Sequence, residues 1–266
     1  MNPYSDIRKV PLDYQGIQSN AYSVQRQDID KEGCFNWKEV GTVSNNYLLV
    51  DNSRVRNMAE EIATNSNLNM EEEKTFFDGR RYAISYIARD NSIGEVDVGD
   101  DVAIGFQMWN SYDGSTSLGF KMMIYRLACT NGMMSHNVLN KYRFRHSPDS
   151  ENWEEELEKV SGILQAGGEG KHNSVNEMIS NFKLLNNMNV GVDELSYLRF
   201  NHLDNVPTGT WGSVIDRYLE KPKYTGWNLL NAATDELWHK EKPTVASYNH
   251  NATIVDGLCN WAAARA

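Results

Sequence analysis

The hydrophobic spacing of this chain turns from mainly strand-like to helical near Ser150, and that change constrains the fold more than any other feature. Before it, apolar residues follow strand-like runs, as over 81–87 and 102–109. After it they recur every three or four positions. Trp153, Leu157, Val160 and Leu164 form one stripe, and Val175, Met178, Ile179, Phe182 and Leu185 form the next. Strands followed by helices, not alternating with them, are the pattern of an α+β fold. The expected architecture is a twisted antiparallel sheet in the N-terminal half, packed by helices from the C-terminal half. The 266 residues, 40% hydrophobic and rich in aromatics, are enough for a sizeable core.

Local signals refine this outline. Residues 1–35 are polar and without period, and read as an extended N-terminal arm. Residues 36–266 read as one α+β domain, β-rich to 148 and helical from 149. Val40, Val43 and Tyr47 to Val50 form the first strand region, followed by a short helix through Val55, Met58, Ala59 and Ile62. Asp78-Gly79 and the segment 97–101 are turns, and Asp113-Gly114 is the clearest hairpin tip, joining 102–109 to 116–127. Ser150 reads as an N-cap, Gly167 to Gly170 as a flexible link, and Ser174 with Glu177 as a capping box. Further helices are expected near 193–201, 213–220, 225–239 and 251–264, with Pro222 and Pro243 as separators. Trp227, Leu230, Leu237 and Trp238 are expected in a helix core.

Charge gives the functional lead. The net charge is −10, yet residues 114–148 contain no Asp or Glu and carry Lys121, Arg126, Lys141, Arg143 and Arg145. A surface kept free of carboxylates is what a polyanion requires. Two clusters interleave cations with rings: Lys74, Phe76, Phe77, Arg80, Arg81 and Tyr82, and then Lys141, Tyr142, Arg143, Phe144 and Arg145. Single-stranded nucleic acid needs both, cations for phosphates and aromatic faces for bases. If 141–145 is extended, its three cations share one side and its two rings the other. An ordinary amphipathic strand with a solvated face is the competing reading.

Enzyme signatures are poor. Gly167 to Lys171 does not fit a phosphate-binding loop, no nucleophile elbow occurs, and no His or Cys pair has zinc spacing. Cys129 and His136 make a weak nucleophile–base pair, for which a buried thiol beside a surface imidazole is the better account. Asp97, Asp100 and Asp101 read as a polar turn before a cation site. No cofactor and no metal are expected. Cys34, Cys129 and Cys259, odd in number and widely spaced, read as free thiols of a reducing compartment. No run of 18 apolar residues and no apolar leader segment occur, so the expected location is the cytoplasm, without membrane contact.

Several strings resemble a known family. These are Gly41-Thr42-Val43-Ser44 with Tyr47-Leu48-Leu49-Val50, Val98-Gly99-Asp100, Asn110-Ser111-Tyr112-Asp113-Gly114-Ser115, Arg126-Leu127-Ala128-Cys129-Thr130-Asn131-Gly132-Met133, Arg145-His146, and Trp227 to Thr234. In order and spacing they resemble the phage- and plasmid-borne family catalogued as domain of unknown function 932, over roughly 37–240. The resemblance implies a mobile-element origin and supplies no activity. Some members are distantly similar to phage single-strand annealing proteins, which build a basic groove from a sheet and a helix.

The expected function is therefore binding of single-stranded DNA, with annealing or protection in replication or recombination. Lys74, Arg80, Arg81, Arg126, Lys141, Arg143 and Arg145 are the expected phosphate contacts, and Tyr82 and Tyr112 the stacking rings. Multivalent contact along a strand favours a homo-oligomer. The alternative is an interaction protein that binds a host defence or transcription factor, with the acidic stretch 151–158 as its surface.

Overall fold

A computed structural model describes residues 2–128, 131–135, 141–147, 153–239 and 245–266. Strands dominate the first half and helices the second, as expected for α+β. The described elements are β1 (Ile7–Tyr14), β2 (Ile17–Ile29), β3 (Phe35–Ser44), α1 (Asn52–Asn65), β4 (Glu71–Phe77), β5 (Arg81–Asp97), β6 (Asp100–Ser111), β7 (Leu118–Arg126), β8 (Asn131–Met133) and β9 (Lys141–Phe144). Helices follow: α2 (Trp153–Gly168), α3 (Asn173–Asn187), α4 (Val192–Asn201), α5 (Thr208–Leu219), α6 (Gly226–Trp238) and α7 (Val245–Ala263). The chain divides into two compact units. Unit 1 is Met1–Tyr86, Phe106–Lys121 and Lys141–Gly162; unit 2 is Ile87–Gly105, Met122–Asn140 and Ile163–Ala266.

The N-terminal segment is not an unpaired arm. β1, β2 and β3 form an antiparallel sheet in that order. A two-residue turn, Gln15 at φ 54° and Gly16 at φ 80°, joins β1 to β2. Two successive left-handed residues are the geometry whose twist suits a tight hairpin. In unit 1 the inner residues Val24, Val40 and Val43 pack against Tyr112, with Ile7, Tyr22 and Phe77 around them. Arg26, 1% exposed, donates to the carbonyl of Gly79 at 2.8 Å and pairs with Asp28 at 2.7 Å.

The larger sheet runs β4-β5-β6-β7-β8, with β9 also paired to β7. In unit 1 one face of this sheet carries a ladder of rings. Tyr86 stacks on Phe106 at 5.3 Å, Phe106 on Phe120 at 5.3 Å, and Phe120 meets Tyr142 at 6.2 Å. Each aromatic pair adds about 0.5–1.5 kcal/mol beyond its area burial. The same face carries Asn110, whose amide donates to the carbonyl of Val50 at 2.8 Å and to Asn52 Oδ1 at 3.0 Å. That ties the face to the start of α1, which buries Val55, Ala59 and Ile62.

In unit 2 the predicted stripe of α3 is buried along its length, from Val175 to Leu185. Trp227, Leu230, Leu237 and Trp238 are buried on α6, as expected. Trp238 meets Tyr125 edge-on at 5.6 Å and joins Ile87, Ala103, Met123 and Met134 in one core cluster.

Some local readings are corrected. Tyr47 to Val50 lie outside any strand: β3 ends at Ser44, and a turn at Asn45 and Asn46, closed by the Tyr47 N–H on the Ser44 carbonyl at 3.1 Å, separates them from it. Gly167 is no link: α2 continues through it, and a Cβ there would collide with the end of Ile104. The left-handed residue that ends the helix is Gly170, at φ 69°. The Ser174–Glu177 capping box does not form, since α3 begins at Asn173 with His172 at the cap and no side-chain bond. Ser150, Pro243, Cys129 and His136 lie outside the described residues, as do the side chains of Trp153 and Leu157.

The Asp113-Gly114 turn stands where expected, between β6 and β7, with Gly114 at φ 72°. Ser111 closes the loop by donating to the Thr116 carbonyl at 2.7 Å. Gly114→Val forces a β-branched residue into the left-handed region and should cost about 1–3 kcal/mol, read by urea unfolding. A change below about 0.5 kcal/mol would show that the turn relaxes freely.

Candidate nucleic-acid interface

The cations expected to share one surface do not all do so. At the β4–β5 turn Asp78 organises its neighbours. Its Oδ1 accepts the N–H groups of Arg80 at 3.0 Å and Arg81 at 2.8 Å, and its Oδ2 pairs with the Arg81 guanidinium at 2.7 Å. Burial alone would raise the Asp78 carboxyl, but these donors together hold it below its ordinary value. Arg81 is thus already paired. Arg80 is exposed and 3.7 Å from Asp113. Lys74 is half-buried on β4, and burial lowers its pKa.

Arg126 belongs to unit 2 and is bound inward. Its Nε donates to Asp100 Oδ1 at 2.6 Å, and the other oxygen of Asp100 accepts the Trp227 indole N–H at 2.7 Å. The acid-free stretch of sequence therefore receives its carboxylates in space, Asp100 for Arg126, while Asp113 just before it faces Arg80.

The stacking rings are corrected outright. Tyr82 and Tyr112 are each 1% exposed. The Tyr82 hydroxyl meets that of Tyr4 at 3.1 Å, and the Tyr112 hydroxyl accepts the Asn52 N–H at 3.2 Å. Both are core residues in this conformation and present no ring to a base.

What remains together is β9. Its register with β7 pairs Lys121 with Lys141, Phe120 with Tyr142, Gly119 with Arg143 and Leu118 with Phe144. Alternation along the strand then puts Lys141 and Arg143 on the face opposite the aromatic ladder, as the expected alternation required. Arg143 and Arg145 are exposed, and among the described residues neither they nor Lys141 has an ion-pair partner. Burial, and secondarily the nearby Arg143 charge, lowers the Lys141 pKa.

Two further residues lie on this face that the sequence did not mark as contacts. Lys121 is 5% exposed and directly opposite Lys141. Trp109, partly exposed on β6, packs its indole against Gly119, where a Cβ would come within 2.2 Å of the ring. Gly119 thus has a reason that strand propensity does not give: it seats a ring from the neighbouring strand. Across three strands the face reads Trp109, Gly119, Arg143, with Lys121 and Lys141 beside them. On the same face Gln107 donates to Ser85 at 3.1 Å, both side chains buried.

The motif residues around the hairpin act as scaffold. Tyr47 donates to the Ser111 carbonyl at 2.7 Å, and a Cβ on Gly41 would lie 2.5 Å from the Asp113 Cβ. In unit 2, Asn251 donates to the Gly132 carbonyl at 2.9 Å and accepts the Met134 N–H at 3.0 Å, holding β8. Among the described residues no three His, Cys, Asp or Glu side chains are grouped as metal ligands, and no helix is long and apolar enough to cross a membrane.

His146, at the end of the cationic segment, stacks on Tyr47 at 4.5 Å, and its Nδ1 bonds the Leu48 carbonyl at 2.9 Å. Its Nε2 is enclosed without a hydrogen-bond partner. Burial lowers its pKa, against the opposing pull of the Leu48 carbonyl. Below about pH 6.5 the unfolded chain takes up a proton that the folded ring refuses. Stability should therefore fall as pH drops through 6.5 towards the folded value, and this residue should contribute no slope above 6.5. His146→Phe, which keeps a ring against Tyr47, should flatten the urea midpoint between pH 7.5 and 5.5. An unchanged slope would place the titrating group elsewhere.

A family model described as Domain of unknown function (DUF932) matches residues 39–256. No curated protein and no solved structure matches the chain.

Proposed function

The chain belongs to this DUF932 family, whose description carries no activity, and we propose from the geometry of unit 1 that it binds single-stranded DNA. The observation that carries this reading is the β9 face. Lys141, Arg143 and Arg145 have no acid beside them among the described residues, and the row at Gly119 sets Arg143 across from a seated, partly exposed Trp109. Fixed cations beside an aromatic ring suit a flexible strand, whose phosphates and base faces are both accessible. A duplex hides its base faces and offers the ring nothing to stack on. Annealing or protection of such strands during replication or recombination of a mobile element is the role this binding serves.

The test is an anisotropy titration of labelled single-stranded and hairpin DNA at about 50 mM salt, where phosphate contacts are strongest. Tighter binding of the single strand is expected. Folded protein that binds neither defeats the reading.

A second reading, attachment to a host or phage protein, is favoured by a separate observation. Ile29 and Phe35 face each other across β2 and β3 and are 65% and 66% exposed. Trp37 lies on the same face of β3 with the Arg8 guanidinium 3.9 Å from its ring centre. Exposed aromatics with arginine are typical of protein interfaces.

A further inference from the structure

We infer that β9 fixes the path of the strand, so that each protomer contacts about three successive phosphates and reads no base sequence. The inference rests on the reading above and adds a footprint and a substrate class to it: any single strand, independent of sequence.

The footprint follows from strand geometry. Lys141 and Arg143 are two residues apart on β9, and Arg145 is two further on. Alternate residues of a strand are about 6.7 Å apart, which sets Lys141 from Arg143; Arg145 follows one residue past the end of β9, and an extended path there puts the three side chains across about 13 Å. That spacing lets consecutive cations serve consecutive phosphates of an extended strand. Trp109, over the residue paired with Arg143, then stacks a base near the middle of the footprint.

Indifference to sequence follows from what is already bonded. Base identity is read by hydrogen bonds to base edges. Among the described residues the side-chain amide on this face of β6, that of Gln107, is 4% exposed and donates an N–H to Ser85. Lysine and arginine are left for phosphates, and an indole stacks on every base alike.

The experiment uses the full chain with fluorescein-labelled oligo-dT of 2 to 12 nucleotides and with oligo-dC, each at several salt concentrations. Affinity should climb steeply to about four nucleotides, which hold three phosphates between them, and slowly after that. The log–log salt slope should be about −2, at roughly 0.7 per phosphate. Oligo-dT and oligo-dC should agree within about threefold, and Trp109→Ala should weaken both by about 5- to 150-fold, the range of one lost stacking contact. Steep gains continuing to 12 nucleotides, a slope beyond about −4, or a tenfold preference for one homopolymer would overturn the β9 path while leaving single-strand binding intact. Absence of binding to every oligonucleotide would remove the proposed function itself.

Discussion

Asp100→Ala should lower the unfolding free energy by about 3 kcal/mol, the scale for breaking a mostly buried ion pair. Asp100 is 7% exposed and accepts from two elements of unit 2, Arg126 on β7 at 2.6 Å and Trp227 on α6 at 2.7 Å. Alanine leaves the Trp227 N–H, in a side chain 1% exposed, without its acceptor. An unpaired buried donor costs about 1–3 kcal/mol. The Arg126 side chain is 21% exposed, so water recovers part of its loss, and the total stays nearer the lower end of the buried-pair range. Asp100→Asn keeps an acceptor for the indole and should cost clearly less. Urea unfolding at pH 7 reads all three proteins. A loss below about 0.5 kcal/mol for Asp100→Ala would mean that these bonds are not worth more than surface contacts.

The same ion pair occupies the Arg126 guanidinium. Arg126→Met should destabilise the protein, yet leave the salt slope of DNA binding unchanged, because its guanidinium is held by Asp100. A slope lowered by about 0.7 would return Arg126 to the phosphate contacts.

Sequence reveals features whose causes are local. The Asp113-Gly114 turn needs a left-handed residue at one position, and the dipeptide announces it. The α3 stripe repeats at helical spacing, and its residues are buried as a set. Lys141 to Phe144 alternate, and alternation survives as β9. The β1–β2 hairpin is harder to see. Its turn places Gln15 as well as Gly16 at positive φ, and strands so polar carry little apolar period.

Features whose causes are distant in sequence stay hidden. Arg126 and Arg143 occupy the same acid-free stretch and look alike in sequence. They differ because Asp100 reaches one of them and no described acid reaches the other. Tyr82 and Tyr112 stand beside cations in sequence, but their rings are consumed by contacts with Tyr4, Phe77 and the start of α1. Gly119 reads as a weak strand residue until Trp109 is seen to lie on it.

The central claim is that the cations on β9 and just past its end hold phosphates, and Arg143→Ala with Arg145→Ala tests it most directly. Both side chains are exposed and without ion-pair partners among the described residues, so stability should change by less than about 0.5 kcal/mol. Losing two phosphate contacts should lower the salt slope on single-stranded DNA by about 1.4. Over the roughly 1.3 decades between 50 mM and 1 M salt, that change amounts to about 65-fold weaker binding at the low-salt end. Lys31→Ala with Lys183→Ala removes the same charge from exposed positions outside β9. The measurement is an anisotropy titration of a labelled single strand against wild type and both double variants, at four or more salt concentrations. A loss of slope and affinity confined to the Arg143/Arg145 pair is the predicted result. Equal losses in both pairs, or none in either, would contradict a binding face on β9.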